Sequence, residues 1–279
     1  MATIGKTILV AMSVMSATLL VGAELAPAHA QDSCADLNLG SSKDDIHAAL
    51  ENALNNAKDA SNGGMQNEIW GTLVDRDGVV CAVAFTGNDR NQQWPGSRVL
   101  SAQKANTATS FSLPEGHSAI VDALSTANLF TQVQPGGFLY GLQHSNPVDT
   151  SVAYRGDPAS YGTTSDPMVG SRIGGINVVG GGLALYNTNG DKRGGLGVDG
   201  DTSCADHNIA WRARHELQLD RLSSGGVRGL SAAPRQDNII YDIPSDEQHP
   251  AIDTSPSGFG HPLCGFGEEA IAPTLPATE

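Results

Sequence analysis

Three short apolar segments separated by glycine-rich breaks constrain the fold of this chain more than any other feature. Residues 173–179, 183–186 and 196–198 are apolar, and the break at 187–191 has the Asn and Gly content of a hairpin turn, where positive φ costs little. Beyond residue 203 the spacing changes, and apolar side chains recur every three or four positions, as in a helix. The pattern predicts three strands, the last two paired antiparallel, followed by a helix.

Eight glycines crowd these predicted strands. Glycine weakens a strand and adds no side chain to the core, so the sequence predicts that something approaches the backbone closely there. A helix, another subunit or a flat ligand each explains the pattern, and so does tight sheet packing with bulges. The spacing differs from that of a dinucleotide or phosphate-binding loop, so we expect no phosphate site. The glycines are Gly174, Gly175, Gly180, Gly181, Gly182, Gly194, Gly195 and Gly197.

The earlier part of the chain supplies further elements. Ser42, with an acid three residues on, predicts the capped start of an amphipathic helix over residues 46–57. Residues 69–74 and 79–85 are typical of two strands that form a hairpin. Residues 97–111 predict a second helix, which carries three small alanines on one side.

Three later segments are less regular. Residues 118–129 have helical spacing, and residues 147–170 form a long polar loop without a period, of the kind that is functional or disordered. Residues 218–279 predict an extended C-terminal segment that packs on the domain, with an edge strand at 238–243.

Three segments in order carry a resemblance to a known family: RVLSAQKANTATSF at 98–111, QPGGFLYGLQHSN at 134–146, and the glycine-rich stretch at 174–210. Together they resemble the GlcG/HbpS-type haem-binding family over roughly residues 69–217. The resemblance implies an α/β (α+β) fold of profilin-like, GlcG type, with a five-stranded, mainly antiparallel sheet covered by helices. It places the domain at 31–217; the 147–170 loop is longer than in typical members.

Lys104, Thr107 and Thr109 lie in the most recognisable of these segments. A buried lysine needs an acidic or carbonyl partner, so Lys104 is predicted to meet a carboxylate, either of a ligand or of Asp199, Asp201 or Asp206. The two threonines are candidates for ligand contact, but their hydroxyls also reach helix carbonyls.

The resemblance implies haem as a ligand, for which Phe138 and Tyr140 offer an apolar, partly aromatic surface. His144 and His207 are the candidate axial ligands of the iron. Asp206 is predicted either to cap backbone N–H groups at a helix start or to meet Lys104 or a ligand. No Cys-x-x-Cys-His motif is present, so covalent attachment of haem is excluded.

Residues 1–30 have the pattern of a secretory signal: Lys6, an apolar run, and a small-x-small site at 28–30. A retained anchor is the alternative. The four cysteines then predict disulfides in a periplasmic or secreted protein. Three pairings are possible; we favour Cys34 with Cys264 and Cys81 with Cys204.

The formal net charge of −14 predicts no binding to nucleic acid and no membrane association after signal cleavage. Neither a nucleophile elbow nor a helical zinc motif is present. The sequence therefore predicts an exported small-ligand binder, most simply a haem or tetrapyrrole sensor, carrier or accessory protein that forms a homo-oligomer. Two alternatives stay open: an enzyme that degrades haem or turns over a small organic acid in the same pocket, and a structural oligomerisation module.

Overall fold

A computed structural model describes residues 34–227, 234–247 and 249–279. It confirms the predicted fold class, with a mixed α/β architecture around one antiparallel sheet. Over the described residues the sheet has four strands rather than five, in the order β2-β1-β4-β3. The strands are β1 (Trp70–Asp75), β2 (Val80–Phe85), β3 (Gly182–Tyr186) and β4 (Lys192–Asp199).

Both predicted hairpins are present, and β1 pairs with β4 at the centre of the sheet. The predicted strand at 173–179 is absent, because Gly174 and Gly175 adopt φ values of +61° and +80° that break the extended conformation. Only isolated bridges form there, one of them between Val148 and Gly174. The predicted edge strand at 238–243 is likewise irregular.

Three helices of three to four turns pack on the sheet: α1 (Lys43–Lys58), α2 (Ser97–Ser110) and α5 (Ser203–Glu216). The capping box predicted at Ser42 forms with Asp45, each side chain accepting the other's backbone N–H at 3.1 and 3.0 Å. The short helices are α3 (Leu142–Ser145) and α4 (Thr150–Ala153), and 3-10 turns cover Arg90–Gln92, Thr131–Val133, Pro158–Ser160, Ile252–Thr254, Glu268–Ala270 and Ala272–Thr274.

The predicted helix over 118–129 is replaced by turns and bends. Asp122 explains the difference, because its carboxylate accepts the backbone N–H groups of Gly116 and Ser118 at 2.7 and 2.5 Å. A side chain that bonds nearby N–H groups competes with helical hydrogen bonds. The loop is therefore built around one buried carboxylate.

The sheet is the middle layer of three. On one face, α1 and α5 bury Leu50, Leu54 and Ile209 against the sheet residues Leu73 and Leu196. On the other face α2 lies across β4 and β1, and Met168 from the 147–170 loop joins that core. Each fully buried leucine or isoleucine contributes roughly 1.5–3 kcal/mol to folding.

The glycines of β4 allow α2 to lie directly on the sheet. A Cβ added at Gly197 would lie 1.9 Å from the carbonyl oxygen of Ser101, and one at Gly195 would lie 2.2 Å from that of Ala105. Both carbonyls belong to α2. Of the alternatives that the sequence left open, a helix is therefore what approaches the backbone of β4.

The four cysteines form two disulfides, but their pairing corrects the prediction: Cys34 bonds to Cys81, and Cys204 bonds to Cys264. The leader before α1 passes beside β2, which holds Cys81, because α1 packs against β2. The C-terminal segment passes the first turn of α5, which holds Cys204. Contacts between elements distant in sequence thus decide the pairing.

The C-terminal segment lies against the rest of the protein through several hydrogen bonds. The indole of Trp211 donates to the carbonyl of Pro276, and the hydroxyl of Thr131 donates to that of Gly260. The predicted signal at 1–30 lies outside the described residues. Among the helices that the structure describes, none combines the length and apolarity needed to cross a membrane.

Candidate functional site

Lys104 and Asp206, predicted as ligand-binding residues, meet each other in the interior. The Lys104 ammonium lies 2.7 Å from Asp199 Oδ1 and 2.8 Å from Asp206 Oδ2, and it donates to the carbonyl of Val198 at 3.0 Å. Lys104 is 0% exposed. An ammonium has three protons, and these three acceptors match them. Lys104 therefore has the ion-pair role that the sequence left open, with no proton free for a ligand.

The fold makes this cluster at the end of the sheet. Lys104 comes from α2, Asp199 ends β4, and Asp206 lies in the first turn of α5. Asp206 also accepts the backbone N–H of Asp201 at 2.9 Å. Burial by itself lowers the pKa of Lys104, but the two carboxylates outweigh it and hold the pKa above its usual value. The cluster therefore joins three elements through a charged ammonium.

Thr107 and Thr109 are buried on the same helix. The Thr107 hydroxyl donates to the carbonyl of Gln103 at 2.7 Å and accepts the N–H of Asn177 at 2.9 Å. Thr109 lies 3.5 Å from the carbonyl of Arg76. The bond of Thr107 to a carbonyl of its own helix is the structural alternative predicted for it, whereas Thr109 faces the turn between β1 and β2.

His207 is fully buried on α5. Its Nε2 lies 3.1 Å from both Asn238 Oδ1 and the backbone nitrogen of Ile239, and burial lowers its pKa to about 3. The imidazole is therefore neutral. Its Nδ1 is buried without a hydrogen-bond partner among the described residues.

The remaining predicted residues lie on the surface, on a segment that we call the 138–144 segment. Phe138 is 96% exposed and Tyr140 is 69% exposed, and His144 is exposed in α3. Leu139 and Leu142 of the same segment pack against a small core with Leu129 and Val133. The segment is thus anchored by two leucines while two aromatic rings and an imidazole face outward.

These placements test how the chain fits haem, which needs an apolar surface, groups for the propionates and an axial ligand. The buried residues Lys104, Thr107, Thr109 and Asp206 do not fit, because their polar atoms are already bonded within the protein. The 138–144 segment fits in chemical type, since it offers aromatic rings and an imidazole. The predicted set therefore divides into an internal group and a surface group.

The concave sites on the described surface include four of about 190 to 410 Å³. None of these four is lined by a predicted ligand residue. The cavity of about 410 Å³ lies at the start of α1, between Ser41, Lys43, Ile46 and the Cys34–Cys81 disulfide. No sequence pattern predicts this cavity, because its walls come from the leader, β2 and the end of the 147–170 loop.

Two buried ion pairs were not predicted from the sequence. Arg98 forms a two-pronged pair with Asp166 and donates to the carbonyl of Ala153, so it fastens the 147–170 loop to α2. Arg214 pairs with Asp237 through two bonds of 2.7 Å. An arginine inside an amphipathic helix is the only sequence signal for such a pair, and its partner lies too far along the chain to be inferred.

No known protein family and no curated protein matches this sequence. Among solved structures, the haem complex of PduOC is similar at 22% sequence identity and a TM-score of 0.40, over 61% of this chain and 89% of that one. The Klebsiella pneumoniae protein ORFY, of family DUF336, is similar at the same identity and TM-score, over 61% of this chain and 88% of its own. Similarity at this level leaves the function to the residues of the chain itself.

Proposed function

We propose that this chain is an exported small-ligand-binding protein whose ligand is haem or a related tetrapyrrole, bound on the 138–144 segment. The observation that carries the proposal is the outward placement of Phe138, Tyr140 and His144 on one anchored turn. Exposed aromatic side chains clustered on a surface are typical of an interaction site. The sequence resemblance to GlcG/HbpS-type proteins supports haem as the ligand class.

Each side chain has a distinct role in this proposal. Phe138 and Tyr140 would contact the flat face of the macrocycle, where burial of aromatic surface favours binding. His144 would ligate the iron, since imidazole is a common axial ligand. Bound haem would supply a redox-active iron and a visible chromophore, which suits a sensor, carrier or accessory protein.

His207 remains the second candidate for the axial position, because its Nδ1 lacks a partner among the described residues. Haem could reach it only if the surrounding core opened, since His207 is fully buried. Comparing His144→Ala with His207→Gln therefore separates surface binding from binding in the core. The predicted homo-oligomer stays a prediction, which native mass spectrometry tests.

Export is supported by the two disulfides, since disulfides persist in oxidising compartments. The signal at 1–30 remains a prediction. N-terminal sequencing of the protein recovered from its source cells tests it, and we expect the mature chain to begin at Gln31.

Haem titration of the purified mature protein tests the ligand. We expect a Soret band shifted from that of free haem, saturating at one haem per chain, and lost in His144→Ala. The proposal fails if wild-type protein gives no Soret shift. Retention of the full shift in His144→Ala and its loss in His207→Gln would move the site to the core.

A second candidate is an enzyme that turns over a small organic acid, which the cavity at the start of α1 favours. Lys43 and Ser41 line this cavity of about 410 Å³, and an ammonium with a nearby hydroxyl suits a carboxylate. Loss of product formation from a panel of small acids in Lys43→Ala, with haem binding unchanged, would support this candidate.

A further inference from the structure

The Cys204–Cys264 disulfide joins two sulfur atoms in different surroundings. Cys204 is 0% exposed in the first turn of α5, whereas Cys264 is only partly buried in the C-terminal segment. Both sulfurs and a ring nitrogen of His261 lie within 4.8 Å of one another. The bond therefore has a protected side and an approachable side, with an imidazole beside it.

Hydrogen-bond donors surround the sulfur of the more exposed cysteine. Cys264 Sγ accepts the backbone N–H of Cys204 at 3.3 Å and lies 3.6 Å from the Ser203 hydroxyl oxygen. The Cys204 N–H belongs to the first turn of a 14-residue helix, where such groups have no partner within the helix. Donors at a helix N-terminus stabilise a thiolate, so Cys264 is stabilised as a thiolate when it is released.

The buried sulfur has a different neighbour. Cys204 Sγ lies 4.0 Å from His261 Nδ1 and 3.6 Å from the carbonyl of Pro262. The Nε2 of His261 accepts the N–H of Gly180 at 3.4 Å, which places the ring proton on Nδ1, where it also donates to Pro262 at 2.7 Å. The neutral N–H of an imidazole therefore stands beside the sulfur that would receive an electron pair.

Glu268 is an acidic group beside Cys264, and its carboxylate is already hydrogen-bonded. Its carboxylate accepts the backbone N–H groups of Cys264, Gly265 and Phe266. These bonds fix the loop that carries Cys264 close to α5. The carboxylate thus holds the position of the sulfur rather than bonding to it.

We infer that Cys204–Cys264 is a redox-active disulfide that undergoes exchange with a dithiol reductant. A thiolate of the reductant attacks Cys264 Sγ and forms a mixed disulfide, while the Cys204–Cys264 bond breaks and its electron pair goes to Cys204 Sγ. Cys204 is protonated by the second thiol of the reductant, which thereby becomes a thiolate, while the neutral N–H of His261 stays beside Cys204 Sγ at 4.0 Å.

The second half of the reaction regenerates the reductant's own disulfide. The second thiolate attacks the reductant sulfur of the mixed disulfide, and Cys264 leaves as a thiolate stabilised by the start of α5. The balance is one protein disulfide reduced to two thiols and one dithiol oxidised to a disulfide. In the reverse direction the same atoms oxidise a partner dithiol.

Stepwise reduction of the wild-type mature protein tests this assignment. The protein is equilibrated with increasing dithiothreitol at neutral pH with a metal chelator, then acid-quenched and alkylated, and its peptides are mapped by mass spectrometry. We expect Cys204 and Cys264 to be labelled at about tenfold lower dithiothreitol than Cys34 and Cys81, or about 30 mV, with unchanged circular dichroism. Opening of Cys34–Cys81 first, or of both bonds only on unfolding, would overturn it.

A single-thiol variant measures the stabilised thiolate directly. In Cys204→Ser, the alkylation rate of Cys264 against pH should give an apparent pKa below about 8.5, the value of a free cysteine. Cys81→Ser, which leaves Cys34 as the free thiol, is the matched control. An apparent pKa for Cys264 at or above 8.5 contradicts the assignment, and the reduction order in wild-type protein decides independently if Cys204→Ser does not fold.

Discussion

The Lys104 cluster and the 138–144 segment both carry residues that the sequence marked for one ligand site, yet they differ in every physical respect. Lys104 is fully buried with three acceptors for its three protons. Phe138 and Tyr140 are exposed and Leu139 anchors them from below. Segments that resemble one family can therefore carry residues that hold the fold together beside residues that face solvent.

The difference teaches where substitution should affect stability and where it should affect binding. When a buried charge loses its partner, the free energy of unfolding falls, because the charge stays buried without compensation. An exposed aromatic ring contributes little to folding and much to an interface. Substitutions in the Lys104 cluster should therefore change the free energy of unfolding, whereas substitutions in the 138–144 segment should change haem affinity.

Replacing Lys104 should have the largest effect. Lys104→Met keeps the length of the side chain but leaves two carboxylates, Asp199 and Asp206, without their cation. We expect the free energy of unfolding to fall by about 3–5 kcal/mol, measured by urea denaturation.

The matched control is Lys58→Met, which breaks the partly exposed pair with Glu68 at 3.1 Å. A pair near the surface contributes only about 0–1 kcal/mol. The opposite outcome would be a Lys104→Met variant that is as stable as Lys58→Met but no longer binds haem. The Lys104 ammonium would then belong to the ligand site, and the division into a stabilising cluster and a binding segment would be wrong.

A contact could be predicted from the sequence when its two residues lie close together along the chain, and not when they lie far apart. The capping box of Ser42 and Asp45 and the hairpin turns are local, so their residues predict them. Lys104 was correctly expected to need an acid, but three aspartates were open, and only the fold selects Asp199 and Asp206 over Asp201. The prediction of the disulfide pairing was wrong for the same reason, because the pairing depends on which distant segments lie side by side in the fold.

The glycines of β4 show a second kind of limit. Gly195 and Gly197 correctly predict close approach to the backbone, and a helix or a flat ligand would demand the same glycines. Phe138 and Tyr140 show a third, since apolar residues are usually expected inside. No sequence pattern marks a turn that partly buries Leu139 and Leu142 and leaves both aromatic rings exposed.

Acid should destabilise the buried region through its histidines. Burial lowers the pKa of His207 to about 3 and that of His261 to about 4, both below the unfolded value of about 6.5. The unfolded chain therefore binds more protons below pH 6.5, so stability is full above that pH and falls as pH is lowered. From pH 6.5 to 5 we expect a loss of up to about 2 kcal/mol for each histidine.

His207→Gln isolates one of these contributions, because glutamine does not titrate. The slope of unfolding free energy against pH between 6.5 and 5 should fall by about 1.1 kcal/mol per pH unit relative to wild-type protein. An unchanged slope would mean that His207 is accessible to protons in the folded state. That result would mean that His207 belongs with the exposed residues of the 138–144 segment rather than with the buried Lys104 cluster.

His144→Ala should reverse this pattern. We expect unfolding free energy to stay within about 0.5 kcal/mol, as for most surface substitutions. Haem affinity should fall at least about tenfold, or about 1.4 kcal/mol, because the axial ligand is removed. The matched control is His117→Ala, another exposed histidine outside the segment, and equal loss in both variants would show nonspecific haem binding by surface imidazoles.

Phe138→Ala should give the smallest effect and the sharpest test of the surface. The side chain is 96% exposed, so its removal leaves no cavity and stability should not change. An aromatic contact with a flat ligand is worth about 0.5–1.5 kcal/mol beyond its buried area, so haem affinity should fall by at least about twofold. The control is Trp94→Ala, which removes a 52% exposed ring outside the 138–144 segment and should leave haem affinity unchanged.

A contrary result would be a Phe138→Ala variant that keeps full haem affinity while the mass of the native assembly changes. The Phe138 ring would then lie in a contact between copies of the chain, and the 138–144 segment would be an interface rather than a ligand site.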